Sequence, residues 1–574
     1  MGHQSGKIWE IKEPEQEKVR GLAAELNVTP LTAKILINRD ISSKIEGEHF
    51  MRPSLTSLTD PFLMADIEKA AHRIITACRG DEKIFIYADY DVDGATGAAA
   101  LFLFIKALFP DLHVYIHQND RRKDGYGVKT PYIQYAARSG YSLLITVDCG
   151  ISNALEVNEA RSLDLDVIVT DHHSIGVAIP AAYAVLNPNR EDCRYPFKGL
   201  AGVGVVFALM CVIRKVLREE GFFKGTRELQ LVNYLDLVSL GTVVDMSPLR
   251  GDNRIFVRYG LEQMRSSPRP GLRALLEVSG LRGSSVDESD LGFRVGPRLN
   301  AAGRIGDSTL SSAILVEQSR ERSIELARIL TRENARRQME ERKILDEAEK
   351  KVDEGRLADR NIIISASRRW HVGVVGIVAS KLMNRYNRPA VLFSIENGIA
   401  RGSGRSRGGV DILKVLDGCS KHITHYGGHP MAVGLTVRED RLDEFIEAAE
   451  REVENLYGVE VDLPVLNVDG EVSLDEMSGS FLKELVELAP FGKGNPEPLF
   501  VATGLKLSKF KKRNRGVASF CVEDGGVPLE AVAFNGEYLA DSRPRRADIV
   551  FTPKSIRKGG DLKAKLFVRD ARFP

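Results

Sequence analysis

Acidic and imidazole side chains collect at points of this sequence where short apolar runs end. KIFIYA (83–88) leads into DYDVDG, SLLITV (142–147) leads into DCG, and DVIVT (166–170) leads into DHH. The ionisable residues at these three points are Asp89, Asp91, Asp93, Asp148, Asp171, His172 and His173, and a further acid, Asp245, closes the apolar run in LGTVVDMSPL. Carboxylates and imidazoles suit Mn²⁺ or Mg²⁺, so this set could bind divalent cations.

So many ionisable groups could not share one crevice as bare charges, because like charges at close range raise each other's pKa or must be neutralised. The ligands suffice for two cations about 4 Å apart, an arrangement suited to phosphodiester hydrolysis. For DYDVDG alone, a calcium-binding loop is the alternative, but position twelve counted from Asp89 is Ala100 rather than a glutamate. For an isolated D-H-H, a polar surface loop is the alternative.

The elements that must position these residues alternate along the chain. Two further β-like runs, HVYIH (113–117) and YAVLN (183–187), join the three above, and the apolar stretch GATGAAALFLFIKALF lies between the first two runs. Such alternation predicts a parallel α/β sheet. Ligands bind beyond the carboxyl ends of the strands in open parallel sheets, so we expect the acids and histidines to share one crevice.

The rest of the chain predicts three further pieces and a leader. Residues 1 to about 75 look helical and polar. Residues 310–356 are highly charged with a thin apolar stripe (Leu326, Ile329, Leu330), which favours a solvated spacer helix. A second α/β unit follows at about 360–455, and from about 465 short β-like runs (ASFCVED, LEAVAF, DIVFTP, AKLFVRD) predict a small β-barrel.

Composition bounds the class of protein. The 574 residues are too many for one core, and 43% hydrophobic and 28% charged residues are typical of a soluble globular protein. The net charge is only +1, yet residues 501–574 carry 16 Lys and Arg against 8 Asp and Glu, which suggests a polyanion-binding module. The six scattered cysteines form no CxxC pair, which argues against a zinc knuckle. Without a long apolar run or an apolar signal region, we expect no membrane partner and a cytoplasmic location.

The motifs DYDVDG, VDCG, DHHS and GTVVDMSPL, in this order, resemble the DHH phosphoesterase family. Within that family the chain is similar to the RecJ group of single-stranded-DNA exonucleases over roughly residues 50–574. The motifs that carry this likeness are RRKDGYGV (121–128), RVGPRLNAAGRIGD (294–307), WHVGVVGIVASKL (370–382), GSGRS (402–406), GGHPMAVGL (427–435) and APFGKGNPEPLF (489–500). The resemblance implies a leader (1–75), a parallel-sheet DHH catalytic domain (76–309), a linker helix (310–358), a smaller α/β DHHA1 domain (359–458) and a nucleic-acid-binding OB-like β-barrel (459–574).

The resemblance also implies roles for the metal-site residues. Asp91 and Asp148 would hold one ion, with support from Asp89. Asp93, Asp148, His172 and Asp245 would hold the second ion, with Asp148 bridging. His173 would lie near the scissile phosphate, and Asp171 would orient a histidine from behind.

The remaining motifs are interpreted as contacts to the substrate. Arg298, Asn300 and Arg304 offer forked and amide donors suited to phosphate oxygens, with an interdomain salt bridge as the alternative. Ser403 and Arg405 among glycines could bind an anion, and His429 could face the same site. Arg121 or Arg122 would contact substrate. Trp370 and His371 could stack on a base or belong to a core. The segment KLSKFKKRNR (506–515) could follow the backbone of a bound nucleic-acid strand, or it could form a solvated hairpin.

Together these features predict a hydrolase: a single-stranded-DNA-specific 5′-to-3′ exonuclease with two Mn²⁺ or Mg²⁺ ions, in DNA repair and recombination. The resemblance implies a monomer, with a single-strand-binding protein and a helicase as possible partners. One alternative is another DHH enzyme, such as a nano-RNase, a small-phosphate phosphatase or a cyclic dinucleotide phosphodiesterase. A second is a DNA-binding factor whose catalytic site has decayed, but every expected ligand is present.

Overall fold

The computed structural model describes residues 6–121, 123–176, 178–266, 269–281, 286–407, 409–458, 463–513, 516–526, 528–534, 536–558 and 561–573. The chain forms two compact units. One contains residues 59–247 and 259–462, and the other contains residues 1–58, 248–258 and 463–574. Among the described residues, no helix is both long and apolar enough to cross a bilayer.

The N-terminal residues 8–51 are mostly helical, and they belong to a different compact unit from the first sheet. Their elements are β1 (Ile8–Ile11), α1 (Gln16–Leu26), α2 (Pro30–Ile37) and α3 (Lys44–Met51). They share a core with C-terminal residues such as Phe481, and β1 pairs in parallel with residues 465–468. The polar residues of this segment lie mostly on its exposed faces, while Leu22, Ile35 and Leu36 are buried.

The first sheet confirms the predicted parallel arrangement. All five strands are parallel in the order β3-β2-β4-β5-β6, and they coincide with the five predicted runs to within two residues. Helices lie between successive strands from β2 to β5, because both faces of a parallel sheet must be covered. The elements are α4 (Ile67–Arg79), β2 (Lys83–Ala88), α5 (Val92–Leu108), β3 (Val114–Gln118), α6 (Thr130–Arg138), β4 (Tyr141–Val147), α7 (Ala154–Ser162), β5 (Asp166–Thr170) and β6 (Ala184–Leu186).

A helical layer follows the sheet in the chain. It consists of α8 (Gly202–Glu219), α9 (Leu235–Val244), α10 (Gly251–Ser266), α11 (Pro270–Val278), α12 (Glu288–Asp290), a π-helical turn (Leu291–Val295), α13 (Gly296–Ile305) and α14 (Thr309–Val316). Helix α5 packs against both α8 and α9. Glycine permits this close packing, since a β-carbon at Gly241 of α9 would lie 2.3 Å from Thr96 Oγ1 of α5.

The next helix, α15 (Arg320–Glu354), is 35 residues long and is buried along one stripe that includes the predicted Leu326 and Leu330. It packs against α11, α13 and a later helix, α16 (Val372–Tyr386). Among its buried polar positions are Asn334 and Glu341. Both accept hydrogen bonds from Arg337, at 3.1 and 3.0 Å, so a polar network replaces apolar contacts along this stripe. A pattern of apolar residues could not reveal it.

A second, mixed sheet follows α15 in the order β10-β11-β9-β8-β7. Helix α16 contributes to the core on one side, and two further helices contribute to the core on the other. Trp370 is a core residue at 4% exposure rather than a stacking platform. The remaining elements of this part are β7 (Ile363–Ser367), β8 (Ala390–Glu396), β9 (Ile399–Arg405), α17 (Ile412–Gly418), β10 (His425–His429), β11 (Ala432–Arg438) and α18 (Leu442–Tyr457).

The C-terminal residues form the predicted small barrel. Five strands close on themselves in the order β14-β15-β16-β18-β17, with β17 pairing back to β14. Closure removes exposed strand edges. The elements are β12 (Val465–Val468), β13 (Gly470–Glu471), α19 (Gly479–Glu487), β14 (Phe500–Arg513), β15 (Val517–Glu523), β16 (Leu529–Ala533), α20 (Glu537–Ser542), β17 (Arg546–Lys558) and β18 (Asp561–Arg572).

Candidate metal centre and anion-binding cluster

The acids and histidines predicted at the strand ends lie together. Asp89 follows β2, Asp148 follows β4, and Asp171 to His173 follow β5, so they meet at the carboxyl edge of the first sheet. Asp91 and Asp93 belong to the start of α5 rather than to a strand. Asp91 caps this helix, because its Oδ1 accepts from the backbone amides of Asp93 at 2.9 Å and Gly94 at 3.2 Å.

The possible ligand atoms form three overlapping groups, in each of which the atoms lie within 4.8 Å of one another. Asp148 belongs to two of the groups and so lies between the ligand sets. Its Oδ1 is 3.1 Å from His172 Nε2, which is in turn 3.7 Å from Asp93 Oδ2. The groups are Asp89 with Asp91 and Asp148, Asp93 with His172 and Asp245, and Asp148 with His172 and His173.

The electrostatics of this cluster favour a cation. Burial, reinforced by repulsion from neighbouring carboxylates, holds the pKa values of Asp89, Asp93 and Asp148 well above their usual range. Burial also lowers the pKa of His172, which favours the neutral imidazole that binds a metal.

Three buried atoms of the cluster have no hydrogen-bond partner among the described residues: Asp89 Oδ1, Asp148 Oδ1 and His172 Nε2. Buried polar atoms are normally satisfied, so their lack of a partner calls for an explanation. Divalent cations would satisfy these atoms, and the oxygen and imidazole donor set suits Mn²⁺ or Mg²⁺. The residues present therefore fit the predicted cofactor.

Contacts from behind fix the orientation of the candidate ligands. The first amides of α8 donate to Asp93, from Gly202 to Oδ2 at 2.6 Å and from Val203 to Oδ1 at 2.9 Å. The Ser247 hydroxyl donates to Asp245 Oδ2 at 2.6 Å. A β-carbon at Gly202 would lie 2.9 Å from Asp148 Oδ1, so this approach requires glycine. These supporting residues were not predicted from the sequence, although a glycine opening a buried helix was visible there.

Asp171 lies behind His173 rather than among the ligand groups. Its Oδ1 accepts from His173 Nδ1 at 2.8 Å and from the His172 amide at 2.7 Å, and its Oδ2 accepts from the Ile151 amide at 3.0 Å. Burial disfavours the charged forms of Asp171 and His173, but the hydrogen bond and the charge attraction between them together have the larger effect. Together they lower the pKa of Asp171 and raise that of His173 to about 9. The Tyr126 hydroxyl, not predicted from the sequence, lies 3.0 Å from the same His173 Nδ1.

A second cluster is formed by arginine side chains from the loop after β3 (Arg121), from α13 (Arg304) and from β9 (Arg405). Arg405 on β9 donates from Nη1 to Ser403 Oγ at 2.9 Å and to the Gly404 carbonyl at 2.7 Å. The Arg121 guanidinium lies 5.3 Å from the centre of the Tyr90 ring. Among the described residues, no carboxylate forms an ion pair with the guanidinium of Arg121, Arg304 or Arg405.

The charges of this cluster repel one another. Burial lowers the pKa of Arg304 to about 10, and the nearby charges of Arg121, Arg337 and Arg405 contribute to this lowering. Burial and Arg121 likewise lower the pKa of Arg405. Guanidiniums gathered without carboxylate partners are suited to an anion with several oxygens, such as a phosphate.

Helix α16 brings the two parts of the arginine cluster together. A β-carbon at its Gly373 would lie 2.1 Å from the Arg304 carbonyl, and one at Gly376 would lie 2.8 Å from Ser403 Oγ and 3.2 Å from Arg405 Nη2. Neither glycine was predicted as part of the site, and Arg337 was not predicted because α15 looked solvated. His371 caps this helix, with Nδ1 accepting from the Gly373 amide at 3.1 Å.

Other predicted substrate contacts are placed differently. The Arg298 guanidinium donates to the backbone carbonyls of Arg294 and Val278, so the structure does not bring it into the arginine cluster. Asn300 is half-buried on α13. His429 is exposed, and the strand register His429–Ala432–Arg405 puts it on the same sheet face as Arg405 but two strands away.

The structure describes part of the basic segment 506–515, which is predicted to follow a nucleic-acid strand. Residues 506–513 form the end of β14, and Lys506, Lys509, Lys511 and Lys512 are exposed. Arg122, Asn514 and Arg515 lie outside the described residues, so the choice between Arg121 and Arg122 remains a prediction.

Sequence models of three families match the chain. They are the DHH family, N-terminal domain (residues 83–242), the DHHA1 domain (359–455) and the RecJ OB domain (468–570). Curated relatives match over most of their length. The single-stranded-DNA-specific exonuclease RecJ of Bacillus subtilis is 35% identical over 98% of this chain and 70% of its own. That of Dickeya dadantii is 37% identical over 87% of this chain and 89% of its own.

Solved structures resemble the chain along nearly its whole length. RecJ from Thermus thermophilus in complex with Mn²⁺ superposes with a TM-score of 0.83 at 27% identity, covering 99% of this chain and 80% of that one. The Mg²⁺ complex of the same protein has a TM-score of 0.77 at 25% identity, covering 99% of this chain and 78% of that one. Both metals are therefore found in a protein of this architecture.

Proposed function

The chain belongs to the RecJ family of single-stranded-DNA-specific exonucleases, and we propose that it hydrolyses single-stranded DNA stepwise from the 5′ end. The observation that carries this proposal is the group of buried carboxylates and imidazoles at the strand ends, where three ligand atoms lack a hydrogen-bond partner within the described part of the chain. The same unit contains the arginine cluster, which suits a phosphate. The alternative DHH activities do not require a RecJ OB domain, which this chain has.

Six side chains would hold two divalent cations. Asp89, Asp91 and Asp148 would hold one, and Asp93, Asp148, His172 and Asp245 the other, as the overlapping groups of ligand atoms support. When bound, such ions lower the pKa of water and neutralise charge on the transferring phosphate. The protein orients the ligands through the α8 amides on Asp93 and the Ser247 hydroxyl on Asp245.

His173 would act at the scissile phosphate. Asp171 holds its Nδ1, so Nε2 is the ring nitrogen available to a substrate. With its Nδ1 held by Asp171, this imidazole would donate a hydrogen bond from Nε2 to a phosphate oxygen or to the departing oxygen. Asp171 would act through His173 as a positioning residue.

The arginine cluster would bind the terminal 5′-phosphate. That group carries more negative charge than an internal phosphodiester, and Arg121, Arg304, Ser403 and Arg405 offer the donors it calls for. In the strand register Gly434 lies opposite Ser403 and Gly427 lies opposite Gly434, and β-carbons at these glycines would meet no described atom within 4 Å. This open face leaves room for a nucleotide beside the phosphate donors. His429 and Asn300 would contact the strand more loosely.

A division of labour among domains follows. Residues 76–309 would catalyse, the linker helix 310–358 and the DHHA1 domain 359–458 would hold the strand end, and residues 459–574 would bind the strand through exposed lysines of β14. We also propose that the chain acts as a monomer. A helicase would supply the single strand from duplex DNA, and a single-strand-binding protein would keep it open.

A gel of labelled strands tests the proposal. Single strands labelled at the 5′ or the 3′ end, a duplex, a dinucleotide and a cyclic dinucleotide are incubated with Mn²⁺ or with EDTA. We expect the 5′ label to leave as a mononucleotide from the start, while the 3′-labelled strand shortens gradually. Metal-independent cleavage, preference for duplex or cyclic substrate, or first release of the 3′ label would overturn it.

A further inference from the structure

Phe293 is the most exposed aromatic side chain among the described residues, at 82%. It lies on the π-helical turn between α12 and α13, where its neighbours Leu291 and Val295 are completely buried. A single exposed apolar residue is ordinary on a protein surface. The place of Phe293 in the fold gives its exposure significance, because π-helical turns occur frequently at functional sites.

The π-helical turn packs against the end of α9, directly before the proposed metal ligand Asp245. A β-carbon at Gly292 would lie 3.9 Å from Val243 Cγ1, and one at Gly296 would lie 2.5 Å from Val244 Cγ2. Met246, next to the ligand, is itself 68% exposed with a positive φ of 61°, a strained conformation for methionine. Two exposed apolar side chains thus belong to segments adjoining the metal centre.

The same helical segment runs from Phe293 to the arginine cluster. Phe293, Pro297, Asn300 and Arg304 follow at spacings of four, three and four residues, which places them along one face. All four are at least partly exposed, whereas Leu299 and Ala302 are buried. Eleven residues of helix span about 16 Å, so this face would connect the proposed 5′-phosphate site with a position further along the strand.

We propose that Phe293 stacks against a base of the single-stranded DNA, with Pro297 beside it, and so positions the strand for cleavage. The inference rests on the proposed function. Channels for single strands combine cationic groups along the backbone with aromatic side chains that stack on bases, and the face from Arg304 to Phe293 offers both. A base is the favoured occupant because the face is continuous with the metal centre and the arginine cluster.

The test compares Phe293→Ala, Phe293→Leu and Phe293→Trp, with Tyr135→Ala as control. Tyr135 is an aromatic residue at 53% exposure on α6, outside the proposed site. Loss of one stacked base should raise KM on long single strands about five- to hundredfold. A dinucleotide whose 5′-phosphate lies in the arginine cluster is shorter than the about 16 Å of helix between Arg304 and Phe293, so its hydrolysis should be unchanged. Tryptophan should preserve KM and leucine should not.

A second readout does not depend on catalysis. Strands with 2-aminopurine at successive positions are bound to the metal-free protein, and stacking on Phe293 should quench fluorescence at one internal position. The quenching should disappear in Phe293→Ala and persist in Phe293→Trp and Tyr135→Ala.

The inference would be overturned by an unchanged KM of Phe293→Ala on long strands, by equal slowing on the dinucleotide, or by fluorescence quenching that persists in Phe293→Ala. A wild-type protein that hydrolyses no single strand would overturn the proposed function instead, and the quenching comparison would still decide the stacking.

Discussion

Replacing Arg405 by alanine should remove the preference for strands with a 5′-phosphate over strands with a 5′-hydroxyl. Arg405 is held by Ser403 Oγ at 2.9 Å and by the Gly404 carbonyl at 2.7 Å, so its guanidinium is already oriented. A hydrogen bond to a charged group contributes about 1.5–3 kcal/mol, so the preference should fall about ten- to a hundredfold. Because burial and Arg121 already disfavour the charge, an anion should relieve this repulsion when it binds.

The assay measures initial rates on 3′-labelled strands with either terminus, at one salt concentration, for the wild type and the variants. Arg405→Lys keeps the charge but loses the planar fork, so we expect an intermediate preference. Arg438→Ala serves as the matched control, since this arginine ends the neighbouring strand β11 and pairs with Asp440. If Arg405→Ala retains the full preference, the reasoning is refuted, and Arg121 or Arg304 becomes the candidate sensor of the strand end.

Two further predictions concern binding and stability. The double variant Lys511→Ala, Lys512→Ala should reduce the slope of log affinity against log salt by about 0.7 for each phosphate that it no longer neutralises. An unchanged slope would argue that this end of β14 faces no DNA. In the metal-free fold Asp89, Asp93 and Asp148 have raised pKa values, so these groups contribute stability at pH values below about 4, the pKa of an unfolded carboxyl group. This contribution is lost as the pH rises through the raised pKa values. The melting temperature of the metal-free protein should therefore fall as the pH rises above about 4, and Mn²⁺ should raise it more at a higher pH than at a lower one; an equal rise at both pH values would contradict the electrostatic reasoning.

The first sheet and the gathering of its acids were predictable because local signals and topology agree. Apolar runs of strand length separated by helical stretches require parallel strands, and parallel strands bring their carboxyl ends to one edge. Asp148 and His172 therefore meet, at 3.1 Å, although 24 positions separate them in the chain. The closed barrel was predictable for a similar reason, from short alternating runs.

Long-range packing accounts for what the sequence did not reveal. The direction of the Arg298 side chain depends on carbonyls of a neighbouring helix, and a motif contains no such information. Asn334 and Glu341 of α15 are buried and accept hydrogen bonds from Arg337. In the sequence, these polar residues are indistinguishable from the exposed face of a solvated helix. The N-terminal helices share a core with residues more than 400 positions away, and no local pattern identifies that partner.

Anomalous diffraction from Mn²⁺-loaded crystals tests the central claim most directly. The claim is that one cluster of carboxylates and imidazoles binds two cations for strand cleavage, with Asp148 shared between them. We expect two anomalous peaks about 4 Å apart, one beside Asp89 and Asp91 and the other beside Asp93, His172 and Asp245. A single peak, two peaks that do not share Asp148, or a metal bound elsewhere in an active protein would contradict the account.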